Sequence, residues 1–254
     1  MRHLRSSPAL VSLEIIPREV LRLQGYRRSS DIPTSEVLNI LRTAMVEARQ
    51  VFQPRWIYQE FPVVSADDSG VRLSDGPELL IREIPGRWGG ISTLGLALCT
   101  IGDDLEPRIE ALFAAREFPV AYMLDSLGSV AVEALGEAVH RRICEDRLAR
   151  GLKVTPRESP GYARWVIEEQ RKVFALLPTD SIGVHLNPYC IMTPRKSISF
   201  AVGVGREASM GTGGSPCRSC DMRDCVYRRS PRRQPHESDW AAEVAPLILA
   251  ANNG

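Results

Sequence analysis

The sequence predicts an α+β fold on the strength of three observations. First, the 254-residue chain is 44% apolar and 25% charged, which is the composition of an ordinary globular protein. Second, strand-like and helical segments both occur, and one helical pattern runs for most of residues 119–151. Third, these segments do not follow the regular strand–helix–strand rhythm of a parallel sheet. At about 150 residues per domain, the length suits one large domain or two small ones.

The overall composition disfavours nucleic-acid and membrane partners. Thirty-two basic residues stand against 31 acidic ones, a formal net charge of +1, so the balance does not indicate a nucleic-acid-binding protein. No uninterrupted apolar run approaches the ~20 residues that a membrane span needs. The first residues contain no apolar stretch of the secretion-signal type. We therefore expect a cytoplasmic protein.

The first half of the chain is predicted to contain a basic leader, helices and a β-rich stretch. Thr34 is a plausible helix N-cap because its hydroxyl can accept a hydrogen bond from the first turn. In order, the expected features are a loose leader (1–12), a strand or short helix (19–26), a helix that Thr34 begins and Pro54 ends, a β-rich stretch (55–101) with a buried strand over 93–100, and a helix that Asp103 or Asp104 caps and that reaches about Ala115.

The second half is predicted to begin with the longest helix. Apolar residues share one broad face from Pro119 onward, and Gly151 is a natural C-terminal stop. His140 is expected at the surface or boundary of this helix rather than as a ligand. The further expected features are a helix over 163–177, strands over 182–186 and 198–204, a flexible glycine-rich segment over 203–216, and a short helix over 240–251.

The loop Arg157-Glu-Ser-Pro-Gly-Tyr162 holds the most specific chemistry. Arginine presents a planar fork that can bind a carboxylate through two hydrogen bonds. The Pro160-Gly161 turn exposes backbone groups, and Tyr162 adds an aromatic wall. Together they suit a small zwitterion attached to a flat ring. The alternative is an ordinary strand-to-helix turn with a surface arginine.

Glu133 is the second feature. It lies within a helix face made mostly of alanine, valine and leucine, four residues before Glu137. A carboxylate near that apolar seam can pair with a cationic group of a ligand. The alternative is the solvated flank of an amphipathic helix.

Three segments occur in an order and spacing that resemble a known family: Asp125-Ser-Leu-Gly-Ser-Val-Ala-Val-Glu133, the Arg157–Tyr162 loop, and Met192-Thr-Pro-Arg-Lys-Ser197. The chain resembles the activation (AdoMet-binding) domain of cobalamin-dependent methionine synthase. It is closer to the stand-alone form of that superfamily, in which a cysteine cluster follows the domain. The resemblance covers roughly residues 20–205. We therefore expect a leader over 1–18, an activation-domain-like unit over 19–205, and a tail over 206–254.

The resemblance implies a fold and a ligand. The family fold is a bent, mostly antiparallel sheet with flanking long helices. By position, Arg157 holds the carboxylate of S-adenosyl-L-methionine (AdoMet), Tyr162 lies against the ligand, Ser159 offers backbone contacts beside Gly161, and Glu133 belongs to the same cofactor-binding site.

The resemblance also implies an activity. Members of the family reactivate a corrinoid methyltransferase by reductive methylation of cob(II)alamin with AdoMet. Positioning does this work, so we name no catalytic residue. The chain has no Asp-x-His-x-x-Gly motif for a corrinoid, and we expect the cobalamin on a partner, either a corrinoid protein or the methionine synthase core.

The third feature is a group of three cysteines near the C-terminus: Cys217, Cys220 and Cys225. Their spacing suits zinc or an iron–sulfur cluster. The fourth ligand would come from Cys190, Cys99, His236 or a partner. The alternative is that the three cysteines are free thiols and bind no metal.

The tail leaves two other functions open. The first is a redox adaptor that services a corrinoid protein without AdoMet chemistry, and the second is a zinc-stabilised interaction protein. The basic residues 228–233 suit either a solvated tail or an acidic, flavodoxin-like electron donor.

Overall fold

The computed structural model describes residues 3–5, 13–28, 30–162 and 164–210. The helices are α1 (Pro17–Leu23), α2 (Ser35–Val51), α3 (Ile84–Trp88), α4 (Leu105–Ala114), α5 (Phe118–Leu148) and α6 (Gln170–Leu176), with 3-10 turns at Ile167–Glu169 and Thr179–Ile182. The strands are β1 (His3–Arg5), β2 (Arg55–Ala66), β3 (Val71–Leu73), β4 (Gly89–Gly90), β5 (Thr93–Thr100), β6 (Lys153–Val154), β7 (His185–Leu186), β8 (Met192–Thr193), β9 (Ser197–Gly205) and β10 (Glu207–Ala208).

A six-stranded sheet forms the centre of the fold. Its order is β1-β2-β5-β9-β6, and β3 pairs with the far part of β2. Every strand pairing within the described ranges is antiparallel. Long helices flank this sheet, which confirms the predicted α+β class with an antiparallel sheet. β1 lies inside the predicted leader, and the division at residues 18 and 205 stays a prediction.

The two faces of the sheet carry separate cores. Side chains alternate between the faces of a strand, so neighbouring residues of β9 join different cores. Phe200 and Val202 pack with α5, α2 and α4, whereas Ala201 packs with Trp88 of α3 and Trp165. The Arg157 loop passes along the edge of β9 between these two layers.

Helix α5 is the predicted long helix, and its bounds confirm the pattern. Its apolar residues pack against α2, α4 and the sheet. Within the described part of the chain, α5 alone has the length and composition of a membrane-crossing helix, and half of its most apolar window is buried inside the protein. The buried core accounts for that apolar character, and the absence of a membrane partner stays a prediction.

Several local predictions hold. The Thr34 hydroxyl accepts a hydrogen bond from the Val37 amide at 3.4 Å, as an N-cap should. The segment that was ambiguous between strand and helix is α1. Strands β5 and β9 lie where their apolar patterns place them.

Other local predictions are wrong. Asp104 precedes α4 but makes no cap, because its carboxylate accepts a hydrogen bond from Gln53 instead. The helix predicted over 163–177 becomes helical only at Ile167, because the chain first turns back at Gly161. The strand predicted over 182–186 shrinks to β7, since a 3-10 turn occupies its start.

Candidate functional site

A polar stripe runs along helix α5. Residues four apart lie on the same side of a helix, one turn above another. The stripe consists of Asp125, Ser129, Glu133 and Glu137. All four belong to a helix whose apolar residues pack into the core, so the stripe brings polar groups to the edge of that core.

Lys196 meets the first two members of the stripe. Its Nζ lies 2.7 Å from an Asp125 carboxylate oxygen and donates to the Ser129 hydroxyl at 2.9 Å. Its aliphatic stem crosses α5 at Gly128, where an added β-carbon would lie 3.2 Å from the lysine Cγ. The first and third segments of the resemblance are therefore in direct contact.

Arg157 meets the other two members. Its Nη2 lies 3.0 Å from Glu137 and 3.6 Å from Glu133. The guanidinium carbon lies 5.3 Å from the centroid of the Phe200 ring, within the range of a cation–π contact. Arg157 is only 9% exposed, so it is not the surface arginine of the alternative interpretation.

Gly136 makes room for this arrangement. It lies three residues after Glu133 and one before Glu137, and an added β-carbon would lie 2.6 Å from Arg157 Nη1 and closer still to Ile198 Cδ1. A distance under 3.0 Å is not tolerated without movement. The glycine therefore allows the guanidinium to lie directly on the helix backbone.

The turn after Arg157 is held at both ends. Glu158 exchanges two backbone hydrogen bonds with Ala201 of β9, at 3.0 and 2.7 Å, and its carboxylate pairs with Arg87. The Gly161 amide donates to the Trp165 carbonyl at 2.8 Å, and a φ of +92° explains why glycine stands there. Trp165 is fully buried. The predicted turn is thus hydrogen-bonded to β9 at one end and to Trp165 at the other.

The remaining predicted site residues lie on this turn. Tyr162 is 39% exposed and forms a short bridge with Trp165, while Ser159 is half-buried. The structure therefore places Arg157 and Glu133 in one cluster and Ser159, Gly161 and Tyr162 on the adjoining turn. Their roles in ligand binding stay predictions.

The cluster has an excess of negative charge. Arg157, Glu133 and Glu137 together carry a formal charge of −1. The two glutamates form the solvent side, with side chains 31% and 38% exposed. Beneath them, burial raises the pKa of the Cys99 thiol to about 12, although Arg157 opposes this shift and Glu133 reinforces it.

Sequence reasoning did not assign a role to Glu137, to Gly136 or to His140, which lies beside the cluster. Glu137 lies closer to Arg157 than Glu133 does. His140 was expected at the surface or boundary of the helix, but it is buried and its Nε2 lies 2.9 Å from the Thr155 carbonyl oxygen. Four-residue spacing from Glu133 could have indicated Glu137. No sequence signal could have indicated Gly136 or His140, because their partners come from the distant Arg157 segment.

The three cysteines predicted to bind a metal, Cys217, Cys220 and Cys225, lie outside the described residues. Cys99 is a poor fourth ligand, because it is fully buried with a raised thiol pKa. Cys190, also nearly buried, stays open as a fourth ligand. Within residues 3–210 as far as they are described, no group of three or more histidine, cysteine or acidic side chains could hold a metal ion.

Comparison with solved structures identifies the fold. The crystal structure of the MetH reactivation domain bound to AdoHcy superposes with a TM-score of 0.57, covering 84% of this chain and 80% of that one. The chain has the fold of the MetH reactivation domain. Sequence identity to that domain is 14%. No family model matches the sequence, and a search of curated proteins finds no relative.

Proposed function

We propose that this protein binds AdoMet and supplies its methyl group for the reactivation of a corrinoid-dependent methyltransferase such as methionine synthase. One observation carries the proposal. A buried arginine, paired with two carboxylates of α5, adjoins a hydrogen-bonded turn on a fold shared with a domain bound to AdoHcy.

The charges of the cluster complement those of AdoMet. The ligand carries an ammonium, a carboxylate and a sulfonium, hence one net positive charge. A guanidinium has five N–H donors, more than its contacts with Glu133 and Glu137 require, and can also receive the ligand carboxylate. The two glutamates suit the cationic groups, and the half-exposed ring of Tyr162 provides an apolar surface for the rest of the ligand.

The reaction needs a partner and a reductant. One electron from an external donor reduces cob(II)alamin to cob(I)alamin, whose cobalt attacks the AdoMet methyl carbon. The carbon–sulfur bond breaks with its electron pair on sulfur, which leaves methylcobalamin and S-adenosylhomocysteine. The part of this protein is to hold the sulfonium nucleotide so that its methyl group faces the corrinoid of the partner.

Calorimetric titration with AdoMet tests the proposed site. We expect the wild-type protein to bind AdoMet and Arg157→Lys to bind it at least about tenfold more weakly, because an ammonium cannot replace the two-pronged guanidinium. Arg150→Lys is the matched control, since Arg150 is exposed and pairs with Asp146. Absence of binding by the wild-type protein, or equal binding by the Arg157 variant, contradicts the proposal.

A second titration tests the charge argument. The neutral thioether of S-adenosylhomocysteine lacks the sulfonium charge, so we expect the wild-type protein to prefer AdoMet at low salt. Glu137→Gln removes one negative charge from the cluster and should reduce that preference. High ionic strength should also reduce the preference for AdoMet over S-adenosylhomocysteine, because salt screens the attraction between the glutamates and the sulfonium. An unchanged ratio of the two affinities in the glutamine variant would show that Glu137 does not sense the sulfonium.

The tail adds a further proposal. Cys217, Cys220 and Cys225 would hold an iron–sulfur cluster that relays the electron, or else a structural zinc. Anaerobic purification of the full chain with metal analysis distinguishes the two. Iron with visible absorbance supports the relay, and zinc supports the structural site. A protein that contains no iron and no zinc contradicts both proposals. The flavodoxin-like donor and the cytoplasmic location stay predictions beside it.

A further inference from the structure

His140 occupies a buried position beside the Arg157 cluster. It lies on α5 three residues after Glu137 and is 8% exposed. Its Nε2 lies 2.9 Å from the carbonyl oxygen of Thr155. A carbonyl oxygen can only accept a hydrogen bond, so this contact requires a proton on Nε2. The neutral imidazole is therefore the Nε2–H tautomer.

Thr155 transmits this contact to the sheet. Its amide donates to the Gly203 carbonyl at 3.0 Å, and its hydroxyl accepts from the Gly203 amide at 2.9 Å. The same hydroxyl donates to the carbonyl of Pro156 at 3.0 Å. Thr155 is thus fixed to β9 by its own backbone and side chain, and to α5 by His140. Arg157 follows only two residues later.

The ring of Phe200 provides a second connection. His140 lies edge-on to Phe200, with ring centroids 6.4 Å apart and an interplanar angle of 80°. The Arg157 guanidinium carbon lies 5.3 Å from the same ring centroid. Edge-to-face and cation–π contacts both depend on the orientation of the ring. A change at His140 would therefore alter the surface that supports the guanidinium.

We infer that His140 is a positioning residue for the Arg157 guanidinium, acting through the Thr155 carbonyl and the Phe200 ring. The inference rests on the proposed function in one respect: the guanidinium so placed is the group that receives the AdoMet carboxylate. His140 itself is buried behind Arg157 and is not assigned a contact with the ligand.

The position of His140 also gives the site a pH dependence. The titratable groups that face it are Glu137 and Cys144 on its own helix and Arg157 on the loop after β6, while β9 contributes the uncharged Phe200 ring. Burial lowers the pKa of His140, so the ring is neutral at pH 7. Protonation would add a cation next to Arg157 and should weaken the binding of a cationic ligand as the pH falls.

AdoMet titration of three variants tests the inference. His140→Gln keeps an N–H donor near the Nε2 position, and His140→Leu removes it. We expect the leucine variant to bind AdoMet about tenfold more weakly and the glutamine variant to bind within about threefold of wild type at pH 7. In the wild-type protein the AdoMet affinity should fall as the pH is lowered, and this fall should be smaller in the glutamine variant. His185→Gln is the matched control, because His185 is exposed and pairs with Asp180, away from the Arg157 cluster.

NMR spectroscopy of the unliganded protein provides a readout that needs no AdoMet. The imidazole nitrogen shifts of wild-type His140 should report the Nε2–H tautomer, and the Arg157 guanidinium protons should show contacts with the Phe200 ring. Those contacts should persist in the glutamine variant and be lost in the leucine variant. An Nδ1–H tautomer, or a leucine variant with unchanged guanidinium contacts, overturns the inference.

The two proposals fail separately. If the wild-type protein binds no AdoMet, the proposed function falls, while the tautomer and the guanidinium contacts still decide the role of His140. If AdoMet binds and the leucine variant binds it as tightly as wild type, His140 is not a positioning residue and the proposed function stands. If the leucine variant does not fold, two other measurements decide the role of His140. They are the tautomer of His140 in the wild-type protein and the loss of AdoMet affinity at low pH in the glutamine variant.

Discussion

Gly136 shows how one residue sets the geometry of the cluster. Its missing side chain lets the guanidinium of Arg157 approach the backbone of α5 between Glu133 and Glu137. A helix interior normally disfavours glycine by roughly 1 kcal/mol relative to alanine. The glycine here permits a close approach of Arg157 that an added β-carbon would prevent unless the ends of the Arg157 and Ile198 side chains moved.

Gly136→Ala should therefore weaken ligand binding more than it changes stability. The added methyl group would force Arg157 and Ile198 to move, a cost of about 1–3 kcal/mol, against a gain of roughly 1 kcal/mol in helix propensity. We expect AdoMet affinity to fall at least about tenfold in calorimetric titration. Gly86→Ala is the control, because no atom lies within 4 Å of its added β-carbon. Equal affinities in the two variants would contradict this account of Gly136.

At the scale of elements, α5 is held to the sheet by a second ion cluster, centred on the buried Arg147 near its C-terminus. The Arg147 side chain is 4% exposed and lies 2.6 Å from Glu60 of β2 and 2.6 Å from Asp146. Glu60 also accepts a hydrogen bond from the Tyr58 hydroxyl at 2.5 Å. The helix is thus fixed to the sheet by Arg147 at one end and by Arg157 and Lys196 further along.

Removal of Arg147 should destabilise the fold. Arg147→Ala leaves the carboxylate of Glu60 without its buried partner, and we expect a loss of about 3 kcal/mol in the free energy of unfolding. Arg150→Ala, which breaks the exposed pair with Asp146, should cost less than about 1 kcal/mol. Urea denaturation of both variants at pH 7 measures the difference. Similar midpoints for the two would show that the buried pair does not stabilise the fold.

The same cluster predicts a loss of stability in alkali. Burial is the main cause that raises the pKa of the Tyr58 hydroxyl well above its usual value, and Glu60 adds to it. The unfolded chain then releases this proton at a lower pH than the folded protein, so the stabilisation is complete below about pH 10 and is lost as the pH rises above it. Urea denaturation between pH 9 and 11 should show a shallower decline for Tyr58→Phe. A parallel decline in both proteins would assign it to other groups.

At the scale of the whole molecule, the sequence predicts what local periodicity determines. Helix α5 and strands β5 and β9 were predictable from local patterns. The helix carries apolar residues at helical spacing, and the strands carry a short apolar run and alternating apolar residues, respectively. The contact between the Asp125–Glu133, Arg157–Tyr162 and Met192–Ser197 segments was not. It depends on the packing of α5 across the sheet and on the edge that the loop follows along β9.

Local patterns misled the prediction where tertiary contacts prevail. Trp165 fits a helical period with Val173, yet it is buried in a turn because Gly161 reverses the chain before the helix begins. His140 flanks two arginines in sequence, which suggests a surface, but Thr155 and Phe200 enclose it. Both errors arise from contacts with residues that are close only in the folded chain.

The most direct test of the central claim is the transfer of a labelled methyl group. The full chain is incubated with methyl-labelled AdoMet, titanium(III) citrate as reductant, and a methionine synthase that carries cob(II)alamin but lacks its own reactivation domain. We expect label on the corrinoid only when this chain is present, with a strongly reduced yield for Arg157→Lys and a normal yield for Arg150→Lys. Label that appears equally without the chain, or equally with the Arg157 variant, would contradict it.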